Sequence, residues 1–300
     1  MTRDLPHIAT TYAHRGAQNA RSGSTTISPA TASAHRHIRS ARNQRYAMPH
    51  RVRRSIWSVP DRIFADARLA AIYDDVDGDR CDLNHYEVIV DELGARSVID
   101  IGCGTGTLSC RLAARGLTVL GVDPADASLA VARAKPGAER VTWLLGDATT
   151  LLPVTVDVVT MTGNVAQVFV REREWLATLA GARSVLRDGG HLVFESRDPS
   201  FCAWKEWTRE QSRAITDTVA GRVEHWVEIT HVDMPFVSFC HTFRFVDDGD
   251  IVTSESTLRF RSREEITTAL VDSGFRVEGV RDAPDRPGRE MVFIARATSS

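Results

Sequence analysis

From residue 61 onward the apolar residues of this chain fall into runs whose period alternates between helical and strand-like. Ile63, Phe64, Ala67, Leu69, Ala70 and Ile72 predict a helix ending near Tyr73 and Asp74, followed by a polar Asp/Gly stretch through Asp79. A second helix opens at Asp82, which can cap it, and sets Tyr86, Ile89, Val90 and Leu93 on one face before Gly94 ends it. The period then shortens. Residues 97–101 form a β-branched run, glycines make a tight turn, and a helix with Leu108 and Leu112 on one side runs to Gly116. This unit repeats, with strands expected at 118–122, 141–145, 156–161 and 191–195 and helices at about 125–134 and 171–186, the last ending at Gly189-Gly190. Short apolar strands alternating with helices imply a parallel sheet covered on both faces. Right-handed crossovers make such a sheet doubly wound.

The rhythm breaks from about Asp198 to Phe260. Residues 223–232, 238–246 and 251–260 alternate apolar and polar positions, and Asp248-Gly249 marks a hairpin turn between the last two. These runs predict an antiparallel β insertion that interrupts the sheet. Ser262 with Glu265 spells a capping box for a helix through Ile266 and Leu270 to Gly274, after which 275–280 and 291–295 read as closing strands.

Composition changes the picture in one place. The chain's net charge of −2 hides an arm, residues 1–60, that holds Arg3, Arg15, Arg21, Arg36, Arg39, Arg42, Arg45, Arg51, Arg53 and Arg54 against Asp4 alone. Rich in Ser, Thr, Ala and His and without an apolar period, this arm is expected to be disordered, because it cannot bury enough surface to offset the entropy of ordering. A basic arm also suits nucleic acid or another anionic surface, and its Arg- and Ser-rich character is that of an organelle transit peptide. A start of translation at Met48 is the reading favoured here. No apolar run is long enough to span a membrane or to serve as an export signal, so a cytoplasmic location is expected. Cys81, Cys103, Cys110, Cys202 and Cys240 are widely spread, with no C-x-x-C pair, so reduced thiols and no metal site are expected.

The chemistry concentrates in Asp100-Ile101-Gly102-Cys103-Gly104-Thr105-Gly106. A glycine turn between strand and helix brings main-chain N–H groups and the positive helix end close to a ligand. The dinucleotide fingerprint G-x-G-x-x-G fails here: in the register from Gly104 its third position is Ser109, which disfavours an NAD(P)-dependent oxidoreductase. An acidic residue followed by G-x-G-x-G at the end of a first strand resembles the first motif of class I S-adenosylmethionine-dependent methyltransferases. That resemblance is strong over about 83–194 and looser over the terminal helix and strands. It implies an α/β fold with a Rossmann-like doubly wound sheet, a methyltransferase domain over 61–300, and the 198–260 insertion on the substrate side. It further implies that Gly102, Gly104 and Gly106 lie against the cofactor, that Asp100 helps orient its ammonium group, and that Asp123 accepts from the ribose hydroxyls. Gly146, Asp147 and Ala148 would meet the adenine, while Gly163, within Thr162-Gly163-Asn164, would face the reacting methyl. Features at the carboxyl ends of four successive strands fall on the edge where open α/β sheets bind ligands.

Methyl transfer from a sulfonium needs alignment and exclusion of water more than a dedicated catalytic group. Asn164 and Gln167 are candidates for the methyl-transfer face, and His225, His231 and His241 in the insertion are candidate bases for an oxygen acceptor. Trp204, Trp207, Trp226, Phe239 and Phe243 either wall an acceptor pocket or pack a core. The resemblance also implies that the helices bearing Tyr73 and Tyr86 close over the cofactor. An insertion at this point resembles small-molecule methyltransferases, so a small-molecule O- or N-acceptor is expected. Nucleic acid is disfavoured, since Thr162-Gly163-Asn164-Val165 carries neither an Asp/Asn-Pro-Pro-Tyr/Phe motif nor a Pro-Cys nucleophile. The competing readings are a non-catalytic S-adenosylmethionine-binding regulatory or partner protein and, behind it, the oxidoreductase.

Overall fold

The computed structural model describes residues 59–151 and 153–299; residues 1–58, with nearly all of the expected basic arm and Met48, lie outside the described residues. In chain order the elements are α1 (Arg62–Ala65), α2 (Ala67–Asp77), α3 (Leu83–Glu92), β1 (Ser97–Ile101), α4 (Thr107–Ala114), β2 (Thr118–Asp123) and α5 (Asp126–Ala134). Then come β3 (Val141–Leu145), β4 (Val156–Met161), α6 (Val165–Val168), α7 (Glu172–Val185) and β5 (Leu186–Arg197). The rest comprises α8 (Arg209–Ser212), β6 (Ala214–Thr218), β7 (Gly221–Asp233), β8 (Phe236–Phe245), β9 (Ile251–Arg259), α9 (Arg263–Asp272), β10 (Phe275–Asp282) and β11 (Glu290–Ala297).

One sheet runs β10-β11-β5-β4-β1-β2-β3, with its five inner-sequence strands parallel and β11 and β10 antiparallel at one end. The break in strand order at β1 and β4 is the point where an α/β sheet opens a crevice at its carboxyl edge. Alternate residues of each strand feed opposite faces, as the pleat requires. Ile99, Ile101, Val159 and Phe194 pack against Trp175 and Leu179 of α7 and Ile266 and Leu270 of α9. Val98, Val119 and Val158 pack against Tyr86 and Ile89 of α3 and Leu108 and Leu112 of α4. Covered on both sides, the strands carry apolar residues nearly throughout. The fold is the α/β doubly wound sheet that the alternating periods predict.

The second sheet is antiparallel, in the order β6-β7-β8-β9. Two groups cover its inner face. Val223, Phe243 and Phe245 meet Ile63, Leu69 and Ile72 from α1 and α2, while Val227, Val237, Phe239 and Leu258 meet Trp204 and Trp207. Gly249 takes a positive φ in the β8–β9 turn, and the Ser262–Glu265 capping box forms in both directions. No helix among the described residues is long and apolar enough to cross a membrane, and no His, Cys, Asp and Glu cluster among them could hold a metal ion.

The elements depart from expectation where polar side chains decide the ends. α2 continues to Asp77, past Tyr73 and Asp74, because Gly78 supplies the positive-φ residue that stops it. Asp82 does not cap α3; its carboxylate accepts two hydrogen bonds from Arg80 instead. Gly189-Gly190 does not separate helix from strand. β5 already starts at Leu186, and its register with β4 slips between Leu186 and His191, so the glycines ride in an irregular stretch of strand. β6 has no counterpart in the sequence reading, since Ala214-Ile215-Thr216-Asp217-Thr218 is short, polar and at the sheet edge.

Trp175 is fully buried, with the rings of Phe169 and Phe194 at 6.0 and 5.6 Å. Trp175→Ala should cost about 3–5 kcal/mol of stability. The midpoint of chemical denaturation reads that loss, and an unchanged midpoint would mean that the core repacks around the void.

Candidate active site

The loop between β1 and α4 is held to the end of β2 by its own backbone. The N–H groups of Gly102 and Cys103 donate to the Val122 carbonyl at 2.8 and 3.1 Å, and the Gly104 N–H donates to Asp123 Oδ2 at 2.8 Å. Gly106, at φ +78°, precedes α4, and a Cβ there would lie 2.4 Å from the ring of Trp143. Gly104, at φ +53°, faces open space instead, so its backbone is free to meet a ligand.

That space is a cavity of about 380 Å³, within the range of small-molecule sites. Asp100, Gly102, Gly104, Asp123 and Gly163 all line it. Gly106 is not on its surface, and its part is to let Trp143 back the loop. The Asp100 carboxylate is buried and accepts from Ser109 Oγ at 2.7 Å and Thr160 Oγ1 at 2.8 Å. Asp123 accepts from the N–H groups of Gly104 and Ala125, both at 2.8 Å. Burial pushes each of these two carboxyls up to about 6, against the hydrogen bonds that favour the charged form. A carboxylate offers about four acceptor positions, so Asp123 keeps room for two further donors.

The roof comes from α1 and α2 and the residues after them. Phe64 and Tyr73 line the cavity with ring centroids 5.6 Å apart. Arg80 also lines it; burial opposes its charge, but Asp77 at 2.9 Å and Asp82 at 2.8 Å outweigh that and hold it charged. Asp74 latches this roof to the loop, accepting from Thr105 Oγ1 at 2.6 Å and pairing with Lys135 Nζ at 2.7 Å. The remaining wall is made by Val165, Val168 and Val170 with Asp61 and residues 255–257 of β9. Arg80, Asp61 and Ser256 were not singled out by sequence reasoning. Arg80 follows a polar Asp/Gly stretch, and Asp61 and Ser256 are ordinary polar positions in a helix start and a strand, with no spacing that marks them.

Several expected residues are elsewhere. Gly146, Asp147 and Ala148 do follow β3, but the cavity lining stops at Asp123 and Pro124. The Asp147 carboxylate accepts from the N–H and hydroxyl of Thr149 at 2.8 and 2.5 Å, turned into its own loop as an Asp after a strand often is. Asn164 and Gln167 alternate with the lining residues Gly163, Val165 and Val168 and point the other way. Asn164 donates to Glu290 Oε1 at 2.9 Å through Nδ2 and to Glu195 through its N–H, and Gln167 Oε1 accepts from Arg197 at 2.8 Å. Burial, then the neighbouring Glu290, push Glu195 up to about 7, and Tyr86 is buried in the core rather than lining the cavity. This buried polar cluster holds the turn into α6 whose other side faces the cavity.

His225 and His241 lie on the covered face of the antiparallel sheet and do not border the cavity. Burial pushes them down to about 4 and about 3, and both stack on Phe243 at 6.2 Å. His231 is exposed on the far part of β7. Trp204, Trp207, Phe239 and Phe243 are core, and Trp226 packs under Arg209 at 4.2 Å; none lines the cavity. The bases and aromatic walls expected from the insertion therefore give way to β9 and α1.

Residues 98–190 match the methyltransferase-domain family. Cypemycin N-terminal methyltransferase from Streptomyces sp is 36% identical over 109 residues, 36% of this chain and 44% of that protein. A ubiquinone biosynthesis O-methyltransferase from Idiomarina loihiensis is 29% identical over 202 residues, covering 63% of this chain and 78% of that protein. The chain spans less than half the length of the Streptomyces relative and of a Geobacillus protein named as a methyltransferase, of which it covers 42%. The CcbJ methyltransferase structure from Streptomyces caelestis superposes with a TM-score of 0.61 at 22% identity, over 74% of this chain and 92% of that one, and shows a shared fold. Over residues 98–190 this chain is similar to the methyltransferase-domain family, and its α/β fold is one that solved methyltransferase structures share.

Proposed function

We propose that this protein transfers a methyl group from S-adenosylmethionine to an oxygen or nitrogen atom of a small-molecule acceptor. The observation that carries the proposal is one cavity whose lining runs from the Gly102–Gly104 backbone and Asp123 to the β9 wall. Relatives named for N- and for O-methylation support both acceptor atoms.

The residues present fit the cofactor. Asp123 has acceptor capacity for two vicinal hydroxyls, the open Gly104 backbone admits a close approach, and Asp100 places negative charge where an ammonium group would lie. Arg80 is the cationic lining residue among those described and suits the cofactor's carboxylate. The bound cofactor supplies a methyl group on a positively charged sulfur. The protein's share is to hold that group against the Thr162–Gly163 turn, to exclude water with Phe64, Tyr73, Val165 and Val168, and to align the acceptor.

Titration of the full chain with S-adenosylmethionine, S-adenosylhomocysteine and NADH tests the reading. Binding of the first two without the third is expected; binding of NADH alone would move the chain to the oxidoreductases. Asp123→Ala should weaken S-adenosylmethionine by about 1–3 kcal/mol, since ribose hydroxyls lose charge-assisted bonds. An unchanged dissociation constant would take Asp123 out of the site.

Acidity gives a further check. Raised carboxyls contribute stability that is fully present below their ordinary value of 3.8 and is lost as pH rises through about 6, so at neutral pH the ligand-free cavity holds Asp100 and Asp123 charged at a cost. A cationic ligand favours those charged forms. Affinity should therefore be flat above pH 7 and fall below pH 6, by up to about tenfold per pH unit for each group. A flat profile from pH 5 to 7.5 in calorimetry would show that neither carboxylate contacts the ligand.

A further inference from the structure

We infer that the acceptor is an amine, recognised by Asp61 with Ser256 at the β9 end of the cavity; this rests on the methyltransferase reading above. Three observations lead there. Asp61 stands at the start of α1 yet its carboxylate makes no capping bond to that helix, and both it and Ser256 line the cavity. The Ser256 hydroxyl lies beside the Asp61 carboxylate and favours its charged form, while the neighbouring Ile63 N–H donates to Ser254 Oγ at 2.9 Å and ties this start of α1 to β9. Residues 255, 256 and 257 all line the cavity in succession, which a strand does only along its free edge, and β9 is the edge strand of its sheet.

Charge then selects the acceptor. Asp100 and Asp123 are needed for the donor, and Arg80, the basic side chain among the described lining residues, is held by Asp77 and Asp82. No cation among the lining residues described is left beside Asp61. A carboxylate in that position suits a positively charged acceptor, and a phosphorylated or carboxylated one would meet it unfavourably. Burial raises the Asp61 carboxyl above the ordinary value, partly offset by the Ser256 hydroxyl, which suits it to receive a proton.

The step balances with groups already present. An ammonium acceptor passes one proton to the Asp61 carboxylate and becomes a neutral amine with a free electron pair. The nitrogen then forms the new C–N bond to the methyl carbon as the C–S bond breaks, the bonding pair leaving with sulfur. The methylated ammonium product departs, and the Asp61 proton passes to solvent. His225 and His241, which do not border the cavity, have no part in it.

The test uses the full chain loaded with S-adenosylhomocysteine and a panel of matched aliphatic, cyclic and aromatic amines and alcohols, read by calorimetry. Amines should bind at least about tenfold more tightly than their alcohol counterparts, a preference of the size that one charge-assisted bond supplies. Asp61→Asn should bring the ratio to about one, with S-adenosylhomocysteine affinity unchanged as the control for folding, and Asp61→Glu should restore part of the preference. Equal binding of amines and alcohols, no binding by any member of the panel, or a preference that survives Asp61→Asn would overturn the inference alone. Failure of S-adenosylhomocysteine itself to bind would instead overturn the cofactor reading beneath it.

Discussion

The indole of Trp143 occupies the volume that a side chain at Gly106 or Gly121 would need, at 2.4 and 2.6 Å from their would-be Cβ positions. Close contact between this ring and two backbones brings the β1–α4 loop down onto β2, where Val122 and Asp123 take up its N–H groups. Only then does the Asp123 carboxylate stand beside Gly104 at the mouth of the crevice. The ring is anchored in turn, its Nε1 donating to the Ala138 carbonyl at 3.1 Å. A tryptophan on the third strand thus decides the geometry of a motif on the first, by packing rather than by chemistry.

Above this floor the roof is tied on by ionic contacts, and below the α6 turn lies a cluster of buried polar side chains. The two differ in kind. Asp74 and Lys135 are partly exposed and meet over the buried Thr105, and a pair so placed contributes modestly and mainly sets position. Glu195, Glu290, Arg286 and Arg197 are almost wholly buried, and burying them is costly unless each is paired. Their use of Asn164 and Gln167 explains why these two face away from the cavity although their neighbours line it.

The sheet was legible because its signal is periodic: β1 to β4 and the capping box at Ser262 rest on patterns that neighbouring residues reinforce. The glycine motif was legible because glycine has a physical reason to stand at 102, 104 and 106 whatever the ligand. Side-chain direction was not. Nothing in the spacing of Asn164, Gln167 or Asp147 says that each finds a partner on the protein, and nothing near His225 or His241 says that their strands turn them into a covered face. Arg80 and Asp61 stayed hidden for the opposite reason. They reach the cavity through tertiary packing of α1, α2 and β9, which brings together positions almost two hundred apart in the chain, as in the bond from the Ile63 N–H to Ser254 Oγ at 2.9 Å.

The two ends of the cavity are built from separate lengths of chain. One takes residues 100–170, inside the stretch that the methyltransferase family matches, together with Tyr73, Arg80 and Leu83, which precede it, and the other takes 59–64 and 255–257, also outside it. Descent can therefore rewrite one end while leaving the other intact. On the reading proposed above, a paralogue that kept Gly102, Gly104 and Asp123 but replaced Asp61 and Ser256 would retain the donor and change its acceptor, and sequence similarity confined to the matched stretch would not register the difference.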